Sequence, residues 1–396
     1  MCERPENATA PADFRCYLVA HSMGGLVCRA FLQNPKLGSN EARRCVDKVF
    51  TYATPHNGID VAGINIPSWM SLNDMNNFNR DRMAAFLNLP NLYEKTERVD
   101  WIPETCFPSE RFFCMIGSNR ADYEVAMGAS RTFAGHGSDG LVRIENASVW
   151  GISDAGQVSS PCATAYTYRS HSGYFGIVNS EESYQNLVRF LFGNLRIDMW
   201  LDIDEVRLPE PIAKAQADGK AVNALYQIEV LASPRGKRWY LTRRMAEEDS
   251  VACRKHADLI DPAKPEARHV YLSSVFLDSR WRTDPTRDTL AYNLTIGVRV
   301  PDYEVDRHFW ADEHYEGGYL FRDSVVFEIR PPQNDGEEWQ VDYDWQSDKQ
   351  GIATTPLDAK ALAAGKVELT VSFDSDTTPG IKGRLRMIVT PWNQAA

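Results

Sequence analysis

No run in this 396-residue chain approaches the length of a membrane-spanning helix. Its first residues, M-C-E-R-P-E-N, offer neither a basic leader nor an apolar core. The chain as given is therefore expected to be cytoplasmic, with secretion open if a signal segment is missing from its N-terminus. Eight cysteines are scattered without a C-x-x-C pair, so no metal is expected. Cys16 and Cys28 are most simply buried free thiols acting as small apolar residues. There is no glycine-rich phosphate loop and no dinucleotide fingerprint, and no cofactor is expected. Basic side chains are outnumbered 43 to 54, for a formal charge of -11; that argues against a phosphate-binding surface and so against nucleic acid as a partner. The sequons at Asn146 and Asn293 carry meaning only in a host that glycosylates secreted proteins.

What the chain does have is length and 43% apolar content, enough for two domains with separate cores. It also has A-H-S-M-G-G, residues Ala20 to Gly25, between an apolar strand (Arg15 to Ala20) and a helix-like run (Leu26 to Gln33). A serine between strand and helix is held in a strained turn, so the residues two before and two after it crowd together and must be small. Ala20 and Gly24 meet that demand, Ala20 with one methyl more than the usual Gly. Ser22 is the candidate nucleophile of the chain.

Small-x-Ser-x-Gly in this setting resembles the nucleophile elbow of the α/β-hydrolase superfamily, within it the bacterial lipases and the alpha/beta domain of GPI inositol-deacylase-like proteins. The resemblance implies a Ser, acid, His order along the chain. A buried strand over R-F-F-C-M-I (111–116) is followed by G-S-D-G-L-V, which resembles the lipase acid loop and makes Asp139 the acid; Asp60, Asp122 and Asp154 are its rivals. Y-R-S-H-S-G-Y places His171 in a small polar loop. A helix ending at Gly193 follows, with Asn179 and Glu182 as a capping-box-like start and an apolar face of Tyr184, Leu187, Val188, Leu191 and Phe192. His171 would take the serine proton and Asp139 would hold its ring. His21 reads as packing or pocket lining, and His136 as a loop histidine.

After the strand Val49 to Ala53 comes T-P-H-N-G (54–58), similar to a motif of the same families. Pro55 stiffens that turn and Gly58 lets the chain leave it; His56 has a structural role or lines an acyl pocket. Residues 59–106 are too long for a plain loop and read as a cap or lid whose Trp69, Met70, Met83 and Phe86 cover an acyl chain or pack within the cap. The resemblance also implies absences. The fold's earlier strands should precede Ser22, where only about twenty residues stand. Of the two oxyanion donors, the chain supplies the backbone N–H of Met23 and no evident second. These gaps suggest an N-terminally truncated hydrolase whose strand Arg15 to Ala20 is an unpaired edge.

The pattern changes near residue 200. The expected domains are a partial α/β-hydrolase (1–198), a linker (199–222) and an all-β sandwich (223–396). Strict alternation marks strands at Tyr292 to Val300, Val325 to Ile329, Val367 to Phe373 and Leu385 to Val389. Asn334 to Gly336 reads as a hairpin turn before Trp339, Val341 and Tyr343. Seven or eight such strands are expected. Glycan binding through Trp310 and Trp345, calcium binding through Asp374 and Asp376, and a plain scaffold are the roles open to this half.

Three functional readings follow. The first is a serine esterase or lipase acting on a small-molecule or lipid ester through Ser22, Asp139 and His171, with Met23 in the oxyanion hole and His21, His56 and Trp69 around the substrate. The second is a catalytically weak or inactive fragment. The third is a surface- or glycan-binding protein acting through the sandwich.

Overall fold

The computed structural model describes residues 13–61, 64–65, 77–122, 137–282, 286–305, 313–330, 339–348 and 355–393. It divides into two compact units, 1–191 and 192–396.

The first unit is built on a four-stranded parallel sheet of order β1-β2-β6-β9. In chain order its elements begin with β1 (Cys16–His21), α1 (Met23–Gln33), α2 (Asn40–Arg44) and β2 (Val46–Tyr52). The short β3 (Asp60–Val61) and β4 (Ile64–Asn65) lead to α3 (Arg80–Phe86), α4 (Pro90–Thr96), β5 (Trp101–Pro103) and β6 (Phe112–Gly117). Then come β7 (Trp150–Ile152), β8 (Val158–Pro161), β9 (Ala163–Thr167) and α5 (Glu181–Phe192). β6 reads F-F-C-M-I-G, a continuous apolar run, and β2 (V-D-K-V-F-T-Y) is buried at every position but Asp47, because strands inside a parallel sheet are covered on both faces. Phe50 and Phe113 stack 4.6 Å apart across the pair, and Phe190 of α5 packs on both.

α5 differs from the expected helix in two respects. Its cap is Ser180, whose Oγ accepts the Ser183 N–H at 3.2 Å, while Asn179 instead donates to the Gly173 carbonyl. Its buried face is Ser183, Asn186, Arg189, Phe190 and Leu191, leaving Tyr184 and Phe192 exposed. Phe190 sets the rotation, since its ring fills the space over Phe50 and Phe113, and polar Asn186 is carried inward with it. The last turn is tied down by Lys48, whose ammonium donates to the Leu191 carbonyl at 3.0 Å, a cation at the negative end of a helix.

Residues 77–98 of the expected cap are anchored on α1. Met83, Ala84 and Leu87 form one buried cluster with Leu26 and Ala30, and Phe86 packs against it. Gln33 and Asn34 donate to the Leu87 and Phe86 carbonyls. Met83 and Phe86 thus serve packing; Trp69 and Met70 lie outside the described residues. At the far end of the same expected segment, β5 pairs with β7 and belongs to a small three-stranded sheet.

Arg29 of α1 has no exposed surface. Its guanidinium donates to the carbonyls of His56, Val99 and Trp101 at 3.0, 2.8 and 2.7 Å, and its Nε to Gln33. Burial pulls its pKa down to about 10, against the upward pull of Asp100. One side chain thereby joins the helix after Ser22 to the T-P-H-N-G turn and to β5.

The second unit contains β10 (Leu195–Arg207), α6 (Glu210–Ala217), β11 (Val222–Pro234), β12 (Thr242–Arg244), β13 (Ala252–Lys255), α7 (His256–Ile260) and β14 (His269–Leu277). β15 (Leu290–Val305), β16 (Glu313–Arg330), β17 (Gln340–Trp345), β18 (Thr355–Pro356), β19 (Ala359–Ala361), β20 (Val367–Asp374) and β21 (Gly380–Pro391) complete it. One antiparallel sheet runs β14-β10-β21-β20-β19, and the other runs β12-β11-β15-β16-β17-β18 with β13 beside β11. Inward residues of both sheets share one apolar cluster, including Met199, Val230, Val298, Val325 and Leu385. The alternating strands foreseen from the sequence lie in β15, β16, β20 and β21, although the strand count exceeds seven or eight. The turn at Asn334 to Gly336 lies outside the described residues.

Residues 199–222, expected as a linker, are instead the body of β10 and the helix α6. β10 is hydrogen-bonded on both sides, to β14 and β21, and Ile212 of α6 is fully buried. Alternation in L-R-I-D-M-W-L-D-I-D is blurred by Trp200 and by acids that bond across strands, such as Asp202 to Arg386 at 2.6 Å. Between the two sheets lies a cavity of about 420 Å³.

Replacing Arg29 by Met is expected to destabilise the first unit by about 3–5 kcal/mol, because two buried carbonyls and one half-buried carbonyl lose their donor. Lys, which lacks the planar fork, is expected to restore little of it. Urea unfolding measures both, and a loss below about 1 kcal/mol would contradict the role given to Arg29.

Candidate active site

Three loops leaving the C-terminal ends of parallel strands meet at one place, the position where open α/β sheets hold their ligands. Ser22 follows β1, Asp139 lies in the long connection after β6, and His171 follows β9. The Ser22 Oγ is 2.9 Å from His171 Nε2, and His171 Nδ1 is 2.9 Å from Asp139 Oδ2. An ionised carboxylate only accepts, so Nδ1 carries the ring proton and Nε2 is free to accept from the serine hydroxyl. His171 and Asp139 are almost wholly buried and Ser22 is partly exposed.

Ser22 has φ 55° and ψ -130°, a backbone conformation that costs an L-residue on the order of 1–3 kcal/mol. Its surroundings hold it there. The Ser22 N–H donates to the Tyr52 carbonyl at 2.9 Å, and the Ser22 carbonyl accepts from Thr54 Oγ1 at 2.9 Å and from the Gly25 N–H at 3.1 Å. The crowding inferred from the sequence has a measurable form. A Cβ on Gly24 would stand 3.4 Å from that of Ala20, and one on Gly25 would stand 2.2 Å from Thr54 Oγ1. Gly25, which the small-x-Ser-x-Gly argument passed over, is thus the tighter of the two. The Met23 N–H opens the first turn of α1, where backbone amides have no intrahelical acceptor and the helix dipole is positive.

Asp139 is fixed before it meets His171. Its Oδ1 accepts the N–H groups of Leu141 and Val142 at 3.0 and 2.8 Å, and its carbonyl accepts the His171 N–H at 2.9 Å. Gly117, the last residue of β6, makes room for this loop: a Cβ there would come within 2.9 Å of the Asp139 Cβ. The rival acids lie elsewhere. Asp60 is paired with Arg80 at 3.0 Å and accepts from Asn146 at 2.7 Å; Asp122 accepts from Asn119, and Asp154 is an exposed loop residue.

His21 supports His171 from behind. Its Nε2 donates to the His171 carbonyl at 2.8 Å and the two rings lie 4.9 Å apart. Burial lowers the His21 pKa, against the upward pull of that hydrogen bond. His56, in contrast, is withdrawn from any pocket. It is fully buried, with Nε2 3.1 Å from Thr51 Oγ1, its ring edge-on to Phe112, and its Nδ1 without a hydrogen-bond partner. A substrate-lining role is corrected to a core role, because no solvent-facing surface remains on the ring. Trp69 and His136 lie outside the described residues.

Several weaker candidates also find their places. Asn146 is buried, its amide bonded to Asp60 and Asn57, so a glycan there would require that network to break. Cys16 and Cys28 are free but half-buried rather than buried, packing at the edge of a buried cluster of the first unit. Asp374 pairs with Arg207 and Lys382, and among the described residues no group of three His, Cys, Asp or Glu is spaced to hold a metal ion. Trp345 packs edge-on against Phe321 at 5.5 Å, and Trp310 lies outside the described residues. No described helix is long and apolar enough to cross a membrane.

Desolvation, with Arg29 adding to it, pushes the His56 pKa well below its ordinary 6.5. Below about pH 6.5 the unfolded chain therefore binds a proton that the folded chain refuses, and stability falls as the pH falls. His21 and His256, both lowered chiefly by burial, act in the same direction. Urea midpoints measured from pH 7.5 to 5.5 are expected to decline for the parent and to decline less for His56→Gln. Equal slopes would show that His56 is not titrating across folding.

No family model matches the chain, and no curated protein matches it. It is similar to the solved structure of a lipase from Bacillus licheniformis in its mature form, at 17% identity, over 45% of this chain and 64% of that one, with a TM-score of 0.27. The chain thus spans less than two thirds of that lipase.

Proposed function

We propose that the chain is a serine hydrolase that cleaves a carboxylic ester, with Ser22 as nucleophile, His171 as general base and acid, and Asp139 as the group that orients the ring. The observation that carries this reading is the continuous Ser22–His171–Asp139 hydrogen-bond chain, 2.9 Å at each link, with the serine on a strained strand-to-helix turn. A serine hydroxyl is a weak nucleophile at neutral pH and needs a base within hydrogen-bond reach. His171 Nε2, unprotonated because Nδ1–H is committed to Asp139, is that base. Proton transfer lets Oγ attack the ester carbonyl; the imidazolium formed is stabilised by Asp139 and then protonates the departing alcohol. Water, activated by the same ring, hydrolyses the acyl-enzyme. The Met23 N–H, at the positive end of α1, is assigned to the oxyanion. His21 is a positioning residue, since it holds the His171 backbone and not the reacting atoms.

On this reading the first unit is part of an α/β-hydrolase sheet, and the second unit is an accessory β-sandwich formed by its two antiparallel sheets. The ester is favoured over the amide by the resemblance noted in the sequence, and the acyl chain length is left to the assay.

The purified chain is expected to turn over p-nitrophenyl esters and to be labelled by a fluorophosphonate. Ser22→Ala should abolish both, and Asp139→Asn should lower kcat on the order of 10⁴-fold by imposing the wrong tautomer on His171. Turnover that survives Ser22→Ala, or failure of the parent chain to label, would overturn the assignment.

A further inference from the structure

The cavity of the second unit has a shape and a lining that select a ligand. Every strand of the five-stranded sheet contributes to its lining, and one row of register partners crosses it from Val275 on β14 through Ile197, Val389 and Val367 to Ala361 on β19. Strands β11, β15, β16 and β17 form the opposite wall. Four inter-strand steps of about 4.8 Å make it roughly 19 Å long across the strands. Its volume of about 420 Å³ falls within the range of small-molecule sites.

The two ends differ. Val275 and Leu277 at the β14 end are buried, while Ala359 and Ala361 at the β19 end are exposed. These alanines, with Gly365, keep the mouth free of bulk. None of the described lining residues is charged. Asn293 is the one amide in the described lining, its buried Oδ1 without a hydrogen-bond partner; a sugar, nucleotide or ion drawn inside would recover little of its hydration from it, whereas hydrocarbon would gain by leaving water. The acyl region of one membrane leaflet is about 15 Å deep, half of a hydrocarbon core of about 30 Å, so one extended acyl chain fits the length.

We propose that this cavity binds a single unbranched long acyl chain, with its polar head left in solvent at the β19 edge. The proposal stands on the second unit alone and is independent of the chemistry assigned to Ser22. Bound lipid fills the space that would otherwise separate the two sheets, so binding stabilises the unit by mass action.

The test uses the full chain and a dansyl-labelled undecanoic acid, whose emission rises in apolar surroundings. Saturable binding is expected, with displacement by palmitate at least ten times more effective than displacement by butanoate. Ala361→Trp, at the mouth, should weaken palmitate binding at least tenfold. Lys360→Ala should leave it within twofold, because Lys360 points to the opposite face of β19, 3.6 Å from Glu368. Ser22→Ala should bind as the parent does, which separates this cavity from the site in the first unit. Circular dichroism checks folding, and Ala359→Trp replaces Ala361→Trp if the latter does not fold. As a measurement independent of the mouth variants, brominated palmitate should quench part of the tryptophan emission, and that part should vanish in Trp339→Phe, since Trp339 lines the cavity. Absence of saturable binding, binding unchanged when the mouth is filled, or binding lost in Ser22→Ala would each overturn the proposal.

Discussion

The buried guanidinium of Arg29 is the constraint around which the first unit is arranged. It sits on the helix that begins one residue after Ser22, and it binds the carbonyl of His56 inside the turn whose Thr54 holds the Ser22 carbonyl. Helix and turn are therefore fixed to each other from two sides of the strained residue. A positive φ at a serine persists only when its neighbours over-determine it. Here those neighbours are the Tyr52 carbonyl, the Thr54 hydroxyl and the missing Cβ of Gly25, and Arg29 secures the segment that carries Thr54. A fully buried cation is tolerable because its donors have well-placed acceptors and Asp100 lies nearby.

The same economy of fixed groups governs the histidine. Asp139 is held by two backbone N–H groups before it reaches His171, and the His171 backbone is held by Asp139 and His21. The ring is thus oriented at Nδ1 and along its main chain, leaving Nε2 to face Ser22. On the proposed reading, little reorganisation is needed there when charge develops. The second unit solves a different problem. Its two sheets share an apolar core yet leave between them a cavity whose described lining carries no charged side chain.

The readability of each feature followed the range of the interaction behind it. The strand–serine–helix turn at Ser22 was legible because its signal is local: small residues two away on either side, strand before and helix after. Asp139 was preferred to Asp60, Asp122 and Asp154 only through the resemblance of its loop, because what distinguishes it physically is a 2.9 Å contact with a residue 32 positions later. The support from His21 was missed, as no spacing reveals a hydrogen bond to a carbonyl 150 residues away. Arg29 passed unnoticed for the same reason; an arginine on an amphipathic helix usually faces water. β10 was mistaken for a linker because its acids are paired across strands, which the one-dimensional pattern cannot register.

The sequence by itself determined the elements whose signals are local: the strand–serine–helix turn, the apolar strands β2 and β6, and the alternating strands of the second half. It also determined the chemical types available at the site, since a hydroxyl, an imidazole and a carboxylate are properties of residues. Tertiary structure alone decided which carboxylate meets His171, that His56 belongs to the core, which face of α5 is buried, and that the sheets of the second unit leave a cavity between them. The reason is physical. Backbone conformation and hydrophobic period are set by neighbours within a few residues, whereas burial, hydrogen-bond pairing and cavity shape are set by groups that only the folded chain brings together.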